Sequence, residues 1–415
     1  MKKLVLGFGI SGKSSAQLLK AQGYEVVALD KKARELQSDP DIEVALDAPD
    51  FSLDSFSQVI LSPGIPFTHP IVQKARALGI EVIGEIELGA RMICNPCIGV
   101  TGSNGKTTTV LLIAHILNSA GIKARALGNV GASLTSYLLG PIDLDEILVL
   151  ELSSFQLEAL QTPCLDAALI LNITPNHLDR HPSFEAYARA KIHIQNCLKM
   201  GKKLFTFQRV VDAFGDLLKK ENLERIDCAV DYDPSVRHGI PERQNVEAAY
   251  ALCSLFGVRS PEFKEGLKTF RKPPHRIEWV ADIDGVSYYN DSKSTSVDSV
   301  MHAVALFSGP ILLILGGVDK GASYSPWIEA FKGKIKCLIA YGKAAEKMKQ
   351  ELSFAFSFEK VETLEEALIR ARLRAEEKET VLFSPGCSSY DQFKNYEHRG
   401  EEFKRYVKLD MREKK

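Results

Sequence analysis

The stretch "CIGVTGSNGKTTTVLL", residues 97–112, joins a short apolar run to a glycine-bearing polar turn and then to threonines and aliphatics. A brief apolar run that stops at a turn reads as a strand buried on both faces, and the segment after the turn has helical length and composition. Between them Gly102, Gly105, Lys106 and Thr107 stand in the order of a phosphate-binding loop, with Val100 where the strict pattern has its first glycine. Glycines let backbone N–H groups turn toward phosphates, a lysine sets positive charge against the terminal phosphates, and a threonine hydroxyl can ligate Mg²⁺. Ser103, Asn104 and Thr108 complete the loop, and the expectation is bound ATP or GTP.

Outward from this loop the same pattern recurs. "KLVLGFG", "EVVALD", "QVILSPG" and "EVIGE" precede it; "EILVLELSS" and "AALILNI" follow; "GPILLILGG", "KCLIAYG" and "TVLFSPG" form a third group. Apolar runs separated by helical stretches indicate parallel sheets covered on both faces, so the fold class is α/β. Boundaries fall near Arg91–Pro96 and at "FRKPPHR", 270–276, where two prolines stop any helix and a strand pair with an Asp284-Gly285 turn follows. Three domains are expected: a Rossmann-like one over 1–92, a P-loop ATPase-like one over 93–271 and a Rossmann-like one over 272–415.

The first domain carries its own glycine turn, "GFGISG", in which Gly7, Gly9 and Gly12 lie between a strand and a helix and Asp30 ends the next strand. Taken alone this is a dinucleotide fingerprint, but any pyrophosphate suits a helix N-terminus, so a nucleotide or sugar nucleotide is the reading. Two cradles in one chain imply two nucleotides.

Composition limits the rest. The 415 residues carry 52 Lys+Arg against 53 Asp+Glu, which gives none of the basic excess that nucleic-acid binding uses. No signal-peptide pattern and no apolar run of membrane-spanning length occurs, so a cytoplasmic protein without membrane insertion is expected. Cys94 and Cys97 form a Cys-x-x-Cys pair without a second pair, and the eight cysteines read as reduced thiols.

Glu151 at the end of "EILVLE" and His177 after "LNITPN" are placed where open α/β sheets bind ligands, and with Thr107 they form a candidate Mg²⁺ set. Lys191, in the helical "FEAYARAKIHI", reads by itself as a surface lysine whose stem covers apolar neighbours.

Together "TGSNGKTT", "ELSSFQLE", "NITPNHLDRH", Lys191, "PPHR", "YNDSKST", "LGGVDKG" and "SPGCSSYDQFKNYEHRG" resemble the Mur ligase family over essentially the whole chain. The resemblance implies an ATP-dependent, amide-forming enzyme of peptidoglycan precursor synthesis. "SPGI" at 62–65, the short first domain and "DQFKNYEHRG" are most similar to the member that adds D-glutamate to UDP-N-acetylmuramoyl-L-alanine. By resemblance, the first turn takes UDP and the second takes ATP, whose γ-phosphoryl group goes to the alanine carboxylate. Lys106, Glu151, His177 and Lys191 are then the catalytic set. Thr107, Glu151, His177 and Lys191 would serve two Mg²⁺ ions, with Lys191 carbamylated by CO₂. Ser11, Gly12, Asp30, Ser62, Asn129 and Ser153 would hold the UDP-sugar. Asn245, Arg276, Asp291 and Lys293 would join residues 102–108 on ATP, and Thr295, Lys320, Ser389 and Tyr396 would hold D-glutamate. A monomer is expected, with small-molecule substrates and no nucleic acid.

The chain departs from the family pattern at Ala248, where a second asparagine is usual, at Lys31 and Lys32, at Tyr396, and in a short stretch over 208–241. Competing readings are a sister ligase with another amino acid, a folylpolyglutamate synthase, a dehydrogenase resting on Gly7–Asp30 alone, and a non-enzymatic P-loop switch.

Overall fold

The computed structural model describes residues 2–33, 42–177, 180–228, 230 and 243–413. The chain divides into two compact units, which part between Phe270 and Arg271.

The first unit holds two sheets. In one, β1 (Lys2–Leu6), β2 (Glu25–Asp30), β3 (Glu43–Leu46), β4 (Phe56–Leu61) and β5 (Glu81–Gly84) run in parallel in the order β3-β2-β1-β4-β5. The central "LVL" of β1 and "VVAL" of β2 are buried on both faces, which is why they read as unbroken apolar runs. The order reverses between β1 and β4, so the crevice of this sheet opens beyond Leu6 and Leu61, where Gly7 and Ser62 lie.

The second sheet comprises β6 (Cys97–Thr101), β7 (Ala124–Gly128), β8 (Ile147–Glu151), β9 (Leu165–Ile170), β10 (Leu198–Thr206) and β11 (Leu223–Arg225), ordered β11-β10-β9-β6-β8-β7. β6 is central and wholly buried, and the helix Lys106–Ser119 leaves directly from its turn. The two sheets are joined through helix Glu85–Ala90, every residue of which is buried. A Cβ at Gly89 of that helix would stand 2.6 Å from Leu134 Cγ, so the contact with the second sheet's helices is as close as the backbone allows.

The second unit is built on β12 (Glu278–Ile283), β13 (Val286–Asn290), β14 (Ile311–Gly316), β15 (Ile335–Tyr341), β16 (Phe358–Lys360) and β17 (Thr380–Gly386), in the order β12-β13-β17-β14-β15-β16. β12 and β13 form the one antiparallel hairpin among the described strands. Its Asp284 and Gly285 have φ of 51° and 76°, the left-handed pair that a two-residue turn requires.

Several details differ from the sequence reading. β9 ends at Ile170, so His177 lies in a loop, not at the strand end, and takes a left-handed φ of 54°. The charged stretch "LEEALIRARLRAEEKE", 364–379, has the pattern of one amphipathic helix, but its helix stops at Arg374, because Glu376–Lys378 turn the chain into β17. The short stretch 208–241 lies partly outside the described residues. No helix among the described residues is long and apolar enough to cross a membrane.

Candidate active site

At the first turn Gly7 takes φ 87°, and its carbonyl accepts a hydrogen bond from Ser62 Oγ at 2.7 Å. A Cβ on Gly12 would collide with that same carbonyl, so the helix Ile10–Ala21 begins tight against the turn. Its N-cap is Gly9, which offers no side-chain cap, leaving the leading N–H groups of the helix for an anion. Asp30 accepts from Phe8 N at 2.8 Å and from Lys32 N at 2.9 Å, so its carboxylate is held at the turn, and Ser11 is the second residue of the helix.

The second turn is fastened to the segment after β9. Asn104 N donates to Asn172 Oδ1 at 2.9 Å while Asn172 Nδ2 donates back to Asn104 O at 3.1 Å. Ser103 Oγ donates to Thr174 O and accepts from Thr174 N, both at 2.9 Å. Gly105, with φ 83°, caps the helix Lys106–Ser119 and is contacted by buried Asn245, whose Oδ1 would lie 2.5 Å from a Cβ there. Lys106 Nζ reaches back to Gly102 O at 2.7 Å and Ser103 O at 3.0 Å. Thr107 Oγ1 donates to Glu151 Oε2 at 2.7 Å, Asn129 Nδ2 donates to Glu151 Oε1 at 2.9 Å, and Thr108 is buried beside them.

Lys191 is not on the surface. Only 1% of it is exposed, and Nζ donates to Gly102 O at 2.8 Å, close to Thr101 Oγ1 and 4.8 Å above the Tyr187 ring. Burial, reinforced by the charge of Lys106, holds its pKa well below the usual lysine range, with Glu151 pulling weakly the other way. The helix Phe184–Ile192 turns both Lys191 and Tyr187 inward, one helical turn apart, and Tyr187 OH lies 3.0 Å from Ser103 Oγ.

These groups line a cavity of about 280 Å³, whose walls include Lys106, Asn129, Ser153, His177, Tyr187 and Lys191, with Gly64 from the loop after β4. The His177 ring packs edge-on to Phe155 at 5.1 Å. Ser153 caps helix Ser154–Ala159 in a reciprocal pair with Gln156 while also facing the cavity. Sequence reasoning missed Arg180, which donates to Gly64 O at 3.1 Å and Ile65 O at 3.2 Å and lies 4.3 Å over Phe155. It also missed Asn172 and Tyr187; the spacing of Tyr187 and Lys191 at i, i+4 was the available signal.

The second unit gathers the remaining candidates. Buried Asp291 accepts from Ser294 Oγ at 2.5 Å, Ser384 Oγ at 2.7 Å and Ile277 N at 3.2 Å. Burial nevertheless pushes its pKa up to about 6, with Arg276 opposing that rise weakly. Lys293 Nζ lies 5.1 Å over the Tyr396 ring, and Lys320 Nζ donates to Thr295 Oγ1 at 3.2 Å. Ser389 is buried beside Ser388, whose carbonyl accepts from Val318 N at 2.8 Å, so the loops bearing Ser389 and Lys320 are paired. Arg399, fully buried and also missed, donates to Ser292 Oγ, Ser292 O and Cys387 O at 3.0, 2.7 and 3.0 Å.

Residues 1–84 match the family model described as Mur ligase MurD-like, N-terminal domain; 100–247 match the Mur ligase middle domain; 275–387 match the Mur ligase, glutamate ligase domain. The chain is 42% identical to the UDP-N-acetylmuramoylalanine–D-glutamate ligase of Protochlamydia amoebophila, over 98% of each chain. It is 37% identical to the protein of the same name in Myxococcus xanthus, again over 98% of each. Among solved structures it is similar to the MurF ligase from Thermotoga maritima in complex with ADP, with a TM-score of 0.60 at 14% identity over 98% of this chain and 95% of that one.

Proposed function

The chain belongs to the Mur ligase family, and on that premise we propose that it joins D-glutamate to the alanine carboxylate of UDP-N-acetylmuramoyl-L-alanine, with ATP converted to ADP and phosphate. The reaction belongs to cytoplasmic peptidoglycan precursor synthesis, and the enzyme acts as a monomer. Residues 1–92 bind the UDP-sugar, 93–271 bind ATP, and 272–415 bind the amino acid and nucleotide. The observation that carries this reading is the convergence of Lys106, Asn129, Lys191 and the loop after β4 on one cavity, with Glu151 and Thr107 at its edge.

The chemistry follows from the difficulty of the step. A carboxylate is a poor acyl donor because oxide would have to leave; transfer of the γ-phosphoryl group onto a carboxylate oxygen makes phosphate the leaving group. The α-amine of D-glutamate then attacks the carbonyl carbon, and the amide forms as the C–O bond to phosphate breaks. Two anions must meet for the first step, and Lys106 supplies positive charge at that point. Ser11, Gly12, Asp30 and Ser62 orient the UDP end, while Asn129 and Ser153 orient the muramoyl-alanine end. Asn245, Arg276, Asp291 and Lys293 complete the ATP site, and Thr295, Lys320, Ser389 and Tyr396 hold D-glutamate, with the Lys320 ammonium facing a carboxylate.

Thr107 Oγ1 and the Glu151 carboxylate are hard oxygens already within 2.7 Å of each other, a donor set suited to Mg²⁺. Among the described residues no group of three or more His, Cys, Asp or Glu gathers, so phosphate oxygens and water would complete the shell. With His177 and Lys191, two Mg²⁺ ions would be held, and they would neutralise phosphate charge. A lysine adds CO₂ only as the neutral amine, the form that burial and Lys106 favour at Lys191. The N–C bond forms, a proton leaves, and the resulting carbamate presents anionic oxygens.

Phosphate release with ATP, Mg²⁺ and UDP-N-acetylmuramoyl-L-alanine tests the reading, comparing D-glutamate, L-glutamate and no amino acid. Release should require both the UDP-sugar and D-glutamate; release indifferent to either refutes it.

A further inference from the structure

Away from the cavity, a buried chain of hydroxyls crosses between the two sheets of the first unit. It ends on Glu85, which is 1% exposed and whose Oε1 accepts from Thr135 N and Thr135 Oγ1, both at 2.8 Å. Ser14 Oγ lies 2.8 Å from Thr135 Oγ1 and 2.8 Å from Ser133 Oγ, and all three hydroxyl residues are buried. The Thr135 hydroxyl donates to Glu85, and Ser14 Oγ, besides meeting Thr135 and Ser133, also reaches Ser11 O at 3.0 Å and Ile10 O at 3.3 Å in the first turn of its helix. Burial raises the Glu85 pKa, and the two donors from Thr135 lower it.

What the chain connects gives it meaning. Ser14 lies one turn along the helix Ile10–Ala21, whose first turn carries Ser11 and Gly12. Ser133 caps the helix Leu134–Tyr137, four residues after Asn129, and Asn129 is the residue bonded to Glu151. The first cradle and the wall of the cavity are therefore linked by short, buried hydrogen bonds. A ligand that engages both places gains from doing so only when their separation matches its own length, and a rigid frame spares it the cost of ordering them.

We propose that Glu85, Thr135 and Ser14 are positioning residues that set the span between the UDP end and the alanine end of the sugar-nucleotide site, and so select for the whole substrate over its parts. The inference rests on the ligase reading of the first turn.

The test is calorimetric binding of UDP and of UDP-N-acetylmuramoyl-L-alanine to the full chain, for wild type, Ser14→Ala, Thr135→Val and Thr135→Ser. UDP touches only the first cradle, so its Kd should stay within about twofold in every variant. The Kd of the whole UDP-sugar should rise about tenfold in Ser14→Ala and Thr135→Val, which each break the buried chain, and return near wild type in Thr135→Ser. Wild-type binding of the UDP-sugar by Thr135→Val, or equal weakening of both ligands, overturns the positioning role alone. Wild type that binds neither ligand overturns the ligase reading and this inference with it.

Discussion

Lys191→Met puts the environment of Lys191 to a quantitative test. In the folded protein the pKa of this lysine lies well below 10.5, whereas the unfolded chain keeps the ordinary value. Between those two values the unfolded state binds one more proton than the folded state. Stability of the first unit therefore rises with pH across that window, by about 1.4 kcal/mol per pH unit from this group alone, and the rise stops above about 10.5. Methionine fills similar volume and does not titrate. At each pH inside that window the wild type should gain on the variant with that slope, which at the urea sensitivity of a unit this size moves the midpoint difference by about 0.5 M per pH unit.

The assay must report the correct unit. Both tryptophans, Trp279 and Trp327, lie in the second unit, so their fluorescence is silent here. Pulse-labelling hydrogen exchange on peptides from helix Lys106–Ser119, across a urea series in CO₂-free buffer, reads the first unit directly. Wild-type and variant midpoints that run parallel from pH 7.5 to 9.5 would show that Lys191 is charged in the fold, and the argument for a neutral, CO₂-reactive amine would fall with it. Where the midpoints diverge as expected, added bicarbonate should alter the wild-type curve and leave the Lys191→Met curve in place.

Other expectations follow from single contacts. Lys106→Met should lower kcat by about 10²–10³-fold, because a preorganised cation at the transferring phosphoryl group is lost; a steady-state assay that finds less than a tenfold drop refutes the role. Asp291 has the opposite linkage to Lys191. Its carboxyl is raised from 3.8 to about 6 by burial, so the second unit loses about 2.4 kcal/mol from this group as pH rises from 4 to 7. Asp291→Asn should flatten that loss in urea unfolding followed by tryptophan fluorescence. Arg399→Lys removes the planar fork that bonds Ser292 and Cys387 together and should destabilise the second unit by about 3 kcal/mol by the same readout, with the first unit unchanged.

The parts of the fold that sequence made legible are those where burial is local. β1, β6, β8 and β14 sit mid-sheet, so each carries an unbroken buried run, mostly apolar, that announces the strand. β10, "LKMGKKLFT", hid because its central residues are exposed and its pairing with β9 skips from Leu198 to Lys203. β7 escaped notice as an edge strand with a charged Arg125. The phosphate loop was legible because contiguous residues make it. Arg180 and Asn172 were not, since their partners are backbone atoms of segments that only the fold brings near. Lys191 shows the limit most clearly: Ala190 and Ile192 say that the neighbourhood is apolar, but whether Nζ escapes to water depends on Tyr187 and Gly102 closing over it.

That closure bears on how the loop is poised. The Gly102 carbonyl accepts from Lys106 at 2.7 Å and from Lys191 at 2.8 Å, so two amines share one oxygen at the floor of the phosphate loop. If both were charged they would repel at close range, and burial leaves little solvent to screen them. Keeping Lys191 neutral removes the repulsion, and a carbamate there turns it into attraction toward Lys106. A carbamylated Lys191 would keep one N–H on Nζ, so the Gly102 carbonyl could retain both donors. Lys106 would then be drawn between the carbonyl and the carbamate until phosphate oxygens compete for it. A carbamate at Lys191 would thus hold Lys106 back from the nucleotide, so on that reading loss of CO₂ should lower the KM for ATP while it lowers kcat, and it should do neither in Lys191→Ala.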